Sequence, residues 1–303
     1  VSRPVDALLE FLRAEEARGV THVHLDEEAK ELLRDLHRRA KAGNARVAVA
    51  APQPARVQAM AEPPRAHEEP VSVPEPEAVI PVKTFQPEII AATSGNAAAQ
   101  IAALAARAEK SPAARGLGTL RETMVFSVGN PEAELMLVGE APGYHEERQR
   151  EPFVGPAGQK LNDILKAMGL QRSDIYISNI VKFRPAIPGQ TTNNRKPTPD
   201  EMASCLPYIR AEVGIVKPKC IVALGGTAAE GLLGLSGSVG AMRGSWHEFE
   251  GIPTRVTYHP AYLLHGTAGQ DDKRKIWEDM LAVMAQLGMP ISDKQRGFFL
   301  PKA

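Results

Sequence analysis

Cysteine is almost absent from this chain of 303 residues: Cys205 and Cys220 are the only two. Two thiols build neither the disulfide framework of a secreted domain nor a four-cysteine metal site, so a reducing cytoplasm is expected and a permanent disulfide is not. Long apolar runs are missing as well. The longest are strand-length, and the opening residues alternate charged and apolar side chains, so neither a signal peptide nor a membrane span is expected. Net charge is also lacking, with 36 Lys plus Arg against 36 Asp plus Glu. That removes the strongly basic balance by which many nucleic-acid-binding chains announce themselves. The balance is uneven, with 15 acids and 12 bases in residues 1–92 and 21 acids and 24 bases in the remainder. The mild basic excess is compatible with a local nucleic-acid groove and does not establish one. What is abundant is apolar surface: 43% hydrophobic residues suffice for a buried core.

Three regions follow from the pattern. Residues 1–45 read as a small helical module. Its second helix carries Ala29, Leu32, Leu33, Leu36 and Ala40 at helical spacing, Asp26 at its start and Gly43-Asn44 at its end. Residues 46–92 scatter nine prolines between Arg46 and Glu88 among Ala, Val and Glu without a period, which predicts a flexible linker. Residues 93–303 read as one α/β domain. An alanine-rich helix over Asn96–Lys110 leads into strands at Glu134–Gly139, Ile175–Lys182, Lys219–Gly225 and Thr254–Tyr258. Helices lie between them, among them one opened by the Thr198-Pro199-Glu201 capping box. The alternation predicts a three-layer α/β/α sandwich around a central, mostly parallel four-stranded sheet, with its ligand site at the carboxyl ends of the strands.

Those strand ends, in order, are Gly139-Glu140-Ala141-Pro142-Gly143, then Asn179, then Gly225-Gly226-Thr227, then His259-Pro260. A glycine-rich turn after a strand serves equally well as a plain bend into a helix. His259 before a proline can be a turn residue bonded to backbone. Asn179 inside an apolar strand is harder to set aside, because a buried amide is costly without partners and a ligand edge would supply one. Phe153, in a loop bounded by Pro152 and Gly155, either plugs the core or stacks on a flat ring. Leu263 and Leu264 are either helix core or an apolar wedge.

The runs GEAPGYHEERQREPFVGPAGQKL, YISNIVKFRP, NNRKPTPDEMASCLPYI, KPKCIVALGGTAAEGLLG, RGSWHEFEGI and HPAYLL resemble, in order and near their spacing, the successive motifs of family 4 uracil-DNA glycosylases. The resemblance covers about residues 97–290 and stops short of the helical module and the linker. It implies an enzyme that extrudes uracil from DNA, single- or double-stranded, and hydrolyses its N-glycosidic bond, leaving an abasic site for base excision repair. It assigns catalytic roles to Glu140, His259 and Asn194. It assigns uracil binding to Ala141, Phe153 and Asn179, and DNA contacts to Arg243, Leu263 and Leu264. Phe153 would stack on the base and the Asn179 amide would match the uracil edge, which cytosine reverses. His259 would hydrogen-bond the carbonyl that gathers negative charge, and Glu140 would orient or deprotonate the attacking water.

The chain departs from that family at the metal. Family members hold a four-iron, four-sulfur cluster on four cysteines, and the matching positions here are Pro112, Arg115, Phe183 and Cys205. One thiolate cannot replace four, so no cluster and no other cofactor or metal is expected. Packing around Phe183 is expected to do its structural work. The family's arginine after the two leucines is His265 here, and its Gly-Arg before Pro-Phe is Arg150-Glu151; both changes weaken phosphate attraction. The segment Pro185–Pro197 lacks the histidine that related covalent uracil-trapping proteins use. The alternative is a catalytically weak binding protein for uracil-containing or damaged DNA on the same fold. The expected partners are DNA and, through the helical module, a protein; the chain is expected to be a cytoplasmic monomer, nucleoid-associated if bacterial.

Overall fold

The computed structural model describes residues 94–264 and 269–300. The helical module expected over 1–45, the linker expected over 46–92, and His265 lie outside them. Helices α1 (Ala97–Glu109) and α2 (Pro112–Arg115) come first, followed by strands β1 (Leu120–Met124), β2 (Ser127–Gly129) and β3 (Leu135–Gly139). Next are α3 (Tyr144–Gln149), α4 (Pro156–Met168), β4 (Tyr176–Asn179), β5 (Phe183–Pro185) and α5 (Pro199–Val216). Then come β6 (Cys220–Leu224), α6 (Gly226–Leu233), α7 (Val239–Met242), β7 (Trp246–Phe249), β8 (Ile252–Thr257), α8 (Gln270–Gln286) and α9 (Asp293–Arg296).

Helix starts are set locally. Asn96 accepts from the Ala99 N–H at 2.9 Å to open α1, and Thr198 and Glu201 form the reciprocal capping box of α5, with Pro199 in its first turn. The main sheet has six strands in the order β2-β4-β3-β6-β8-β7. The four expected strands are its parallel centre, and β2 and β7 add antiparallel edges. A separate antiparallel pair joins β1 to β5.

Period-2 alternation divides each central strand between two cores. Met136 and Val138 of β3, with Ile221 and Ala223 of β6, face one core, where α5 supplies Ile209 and Val213 and α6 supplies Ala228 and Leu232. Leu135 and Leu137, with Cys220, Val222 and Leu224, face the other, closed by Leu161 and Leu165 of α4 and by Trp277 and Met280 of α8. Both strand faces are therefore covered by helices, which explains why these strands read as continuous apolar runs. The chain leaves β3 for β4 on one side and crosses back to β6 on the other. That reversal opens a crevice beyond the carboxyl ends of β3 and β6, where doubly wound sheets bind their ligands. Among the described residues no helix is long and apolar enough to cross a membrane.

Candidate active site

The carboxyl ends of β3, β4 and β8 bring three of the anticipated side chains together. Gly139 is paired with Asn179 across β3 and β4. A Cβ added to Gly139 would strike the Asn179 Oδ1 and the Phe153 ring, so glycine is what lets them close over the strand end. The Phe153 ring centroid lies 5.6 Å from that of His259 at an angle of 32°. His259 in turn packs against the backbone of Gly225, where a Cβ would sit 3.0 Å from the His259 Cβ.

Phe153 reaches this position through an unusual backbone. Its φ of 55° is left-handed, and Gly158 lets α4 pass against its carbonyl, which any Cβ there would clash with. Strain of about 1–2 kcal/mol per non-glycine residue in that region must be held by neighbours. Arg172 supplies part of the hold, donating to the Phe153 carbonyl at 3.2 Å and the Pro152 carbonyl at 2.8 Å while pairing with Glu151 at 2.9 Å. Glu146 supplies the rest: its Oε1 accepts from Val154 N at 3.1 Å and Gly155 N at 2.8 Å. Neither Glu146 nor Arg172 was singled out from the sequence. The only local hint was an acid in the first turn of a short helix, which reads equally well as dipole compensation. Glu151, expected to repel phosphate, has its charge offset by Arg172.

Asn179 is 2% exposed, and among the described residues its side-chain amide makes no hydrogen bond. The amide atoms keep a little solvent access, since the one fully buried side-chain polar atom without a partner among the described residues is the Gln190 Oε1, and the Asn179 edge is open to a ligand. Burial lowers the pKa of His259 to about 4, outweighing the upward pull of the nearby Glu146 carboxylate. The ring is therefore neutral at pH 7. Its Nδ1 accepts from Ala261 N at 3.2 Å, which assigns the proton to Nε2 and makes that nitrogen a donor.

Asn194 joins the cluster through Gly143, whose added Cβ would meet the Glu146 Oε2 at 2.8 Å and the Asn194 Nδ2 at 3.1 Å. Arg184 fixes Asn194, donating to its Oδ1 at 2.9 Å and to the Thr191 and Asn193 carbonyls at 2.9 and 2.8 Å. Ala141 packs at the edge of the α5 core. Glu140 follows Gly139 directly but engages a different group, the Thr227 hydroxyl at the start of α6, with Lys196 and Glu230 nearby. Burial raises its pKa, and the Thr227 hydrogen bond and the Lys196 charge only partly offset this.

The residues anticipated on the DNA face divide. Leu264, 43% exposed, and the half-buried Leu263 end a 3-10 turn begun by Pro260, directly after His259. Arg243 is directed into the protein: its Nε donates to Asp279 at 2.9 Å and its Nη2 to the Lys275 carbonyl at 2.5 Å.

The four positions that the resemblance gives to an iron-sulfur cluster do not fit one. The Phe183 side chain is 1% exposed and sits in the core, with the Arg115 guanidinium 4.5 Å above its ring. Cys205 is buried, and desolvation raises its thiol pKa, away from the thiolate a cluster requires. Among the described residues no three His, Cys, Asp or Glu side chains converge as a metal site.

A family model described as the uracil DNA glycosylase superfamily matches residues 126–281, the span that holds Glu140, Phe153, Asn179, Asn194 and His259. A Type-4 uracil-DNA glycosylase of Pyrobaculum aerophilum is 37% identical over 163 residues, 51% of this chain and 80% of the relative. One of Thermotoga maritima is 38% identical over 162 residues, 53% of this chain and 81% of the relative. One of Archaeoglobus fulgidus is 39% identical over 149 residues, 46% of this chain and 72% of the relative. The carboxyl-end cluster lies within the matched segment, and this chain belongs to the uracil DNA glycosylase superfamily.

Proposed function

We propose that this protein is a DNA-repair hydrolase that cleaves the N-glycosidic bond of uracil in DNA and leaves an abasic site. The observation that carries the reading is the meeting of the Phe153 ring, an Asn179 amide with no hydrogen-bond partner among the described residues, and a neutral, Nε2-protonated His259 at the strand ends. A base buried in a duplex cannot be attacked, so the nucleotide is extruded and its base stacks on Phe153 beside Ala141. The Asn179 amide offers a donor and an acceptor to the carbonyl and imide of the uracil edge. Cytosine presents the reverse order and leaves both groups unpaired.

Cleavage develops positive charge on the sugar and negative charge on the departing base. The His259 Nε2–H donates to the base carbonyl as that charge grows, and a neutral ring does so without holding the proton as a cation. Glu140, when ionised, orients the attacking water and faces the sugar's positive charge. Asn194, fixed by Arg184, supports the turn after β3. Leu263 and Leu264 fill the gap left by the extruded nucleotide. Arg243, held by Asp279, positions the loop before β7 against the DNA backbone. The reaction proceeds without a metal or a cluster, by a cytoplasmic monomer, nucleoid-associated in a bacterial cell. Residues 1–45, joined through residues 46–92 to the 93–303 domain, recruit a protein partner to it.

The test is release of uracil from a labelled single-uracil oligonucleotide, single-stranded and duplex, by the wild type and by Glu140→Ala and His259→Ala, with iron assayed in the same preparation. Cleavage that both variants lose, without iron, is the expected result. No cleavage by folded wild type in enzyme excess would sink the reading, and binding of the same oligonucleotide would then favour a uracil- or damage-binding protein.

A further inference from the structure

A cavity of about 540 Å³ opens on the surface between α2, β1 and the end of α3, away from the strand-end cluster. Three arginines line it, Arg115, Arg121 and Arg150, against one lining carboxylate, Glu122. Each arginine is held differently. The Arg115 guanidinium is fixed by donating to the Glu109 carbonyl at 3.1 and 3.0 Å and by stacking on Phe183, contacts that orient its charge without neutralising it. Arg121 pairs with Glu147, a carboxylate that Arg184 shares at 3.0 Å. Arg150 makes no hydrogen bond or ion pair with any described residue. It also occupies a left-handed φ of 56° that glycine would adopt without strain. A strained, unpartnered arginine beside two oriented ones in an open polar cavity is an arrangement that an anion would complete.

We propose that this cavity binds phosphate, and that the phosphate belongs to the DNA strand whose base enters the site. The source follows from α3. Glu146 on this helix braces the Phe153 loop, and the next residue, Glu147, anchors Arg121 at the cavity. The helix has six residues and so is about 9 Å long. A single helix of this length carries both the brace of the base-stacking loop and the anchor of the cavity, so a phosphate held there belongs to the strand that delivers the base. A free nucleotide carries the same chemistry and is the competing source. This inference rests on the proposed action on DNA, and the test separates the two.

The test uses the full chain with Arg150→Gly, which removes the charge and relieves the backbone strain together. Lys217→Gly is the control. Lys217 is likewise exposed and left-handed, with φ 51°, but sits at the opposite end of the sheet, just before β6. Binding of a labelled oligonucleotide is followed by anisotropy across a salt series. Arg150→Gly is expected to bind about fivefold more weakly at 0.15 M salt and to lower the log–log salt slope by about 0.7–0.9, one phosphate's share. Its melting temperature should not fall, and Lys217→Gly should keep the wild-type slope. An unchanged slope in Arg150→Gly overturns the proposal. So does ATP or inorganic phosphate binding that Arg150→Gly abolishes while oligonucleotide binding is untouched. A wild type that shows the Arg150-dependent slope but releases no uracil would keep this site and remove the glycosylase reading.

Discussion

The two faces of β4 carry two buried polar sites built on opposite terms. On the α5 face, Lys182 Nζ donates to Glu212 Oε2 and to Ser178 Oγ, both at 2.6 Å, and lies 4.7 Å over the Phe126 ring. Ser178 Oγ is 3.1 Å from both Glu212 oxygens, and the Tyr176 hydroxyl is 2.9 Å from Glu212 Oε1 and 2.7 Å from Ser127 Oγ. Lys182 and Glu212 are wholly buried, and the network closes on itself. One residue along, on the other face, Asn179 is 2% exposed, and its amide has no hydrogen-bond partner among the described residues. Burial is common to both sites, so it does not identify the functional one. What separates them is whether the protein itself satisfies the buried groups: the closed network specifies structure, and the open one is available to a ligand.

The largest effect that could break this comparison is on stability. Glu212→Ala leaves the Lys182 ammonium buried without its counter-charge, and removing one partner of a buried pair costs about 3–5 kcal/mol. Denaturant unfolding should register that loss. The double variant Lys182→Met/Glu212→Leu should recover most of it, because an apolar pair of similar volume removes the unpaired charge. A single variant within about 1 kcal/mol of wild type would mean that the network closes less tightly than its distances indicate.

A crossed pair of substitutions sharpens the contrast at smaller energies. Asn179→Ala gives up no internal hydrogen bond, so its unfolding free energy should stay within about 1 kcal/mol of wild type. Its rate of uracil release should fall about 10²-fold or more, the usual consequence of losing a group that engages the transition state. Ser178→Ala should do the reverse, costing about 1–3 kcal/mol of stability by leaving Glu212 and Lys182 short of a partner, with release retained. If both variants lost stability and activity alike, the two faces would not be separable.

The same contrast marks how far the sequence could be read. The four parallel strands, the Thr198-Glu201 capping box, and the placement of Asn179 and His259 at strand ends all follow from signals within a few residues. Edges β2 and β7 were missed because three or four half-exposed residues such as His247-Glu248 carry no usable period. The bracing groups were missed for a different reason. Arg172 reaches back 19 residues to the Phe153 carbonyl, Lys182 finds Glu212 30 residues ahead, and Arg243 finds Asp279 36 residues ahead. Only the folded sheet determines which acid meets which base, so Arg243 read from the sequence as a phosphate contact while the fold gives it an internal partner.

The smallest and most specific effects are in pH dependence. For stability, the unfolded chain protonates a histidine near 6.5, whereas folded His259 resists until about 4. The unfolded state therefore binds the extra proton between those values. His259's contribution is complete above about pH 6.5 and is lost as pH falls toward 4. Glu140 acts in the opposite sense, since its raised pKa lets the folded chain take up a proton before the unfolded one does. For activity the two effects reinforce: release needs Glu140 ionised and His259 neutral, and as pH falls from neutrality Glu140 is the first to leave its working state. The rate should decline on the acid side along a limb set by Glu140, with the His259 limb near pH 4 below it. Glu140→Ala, slow throughout, should lose the upper limb. A limb centred near 6.5 that disappears in His259→Ala would mean that the imidazole is solvated and ordinary, and the neutral-donor mechanism would fall with it.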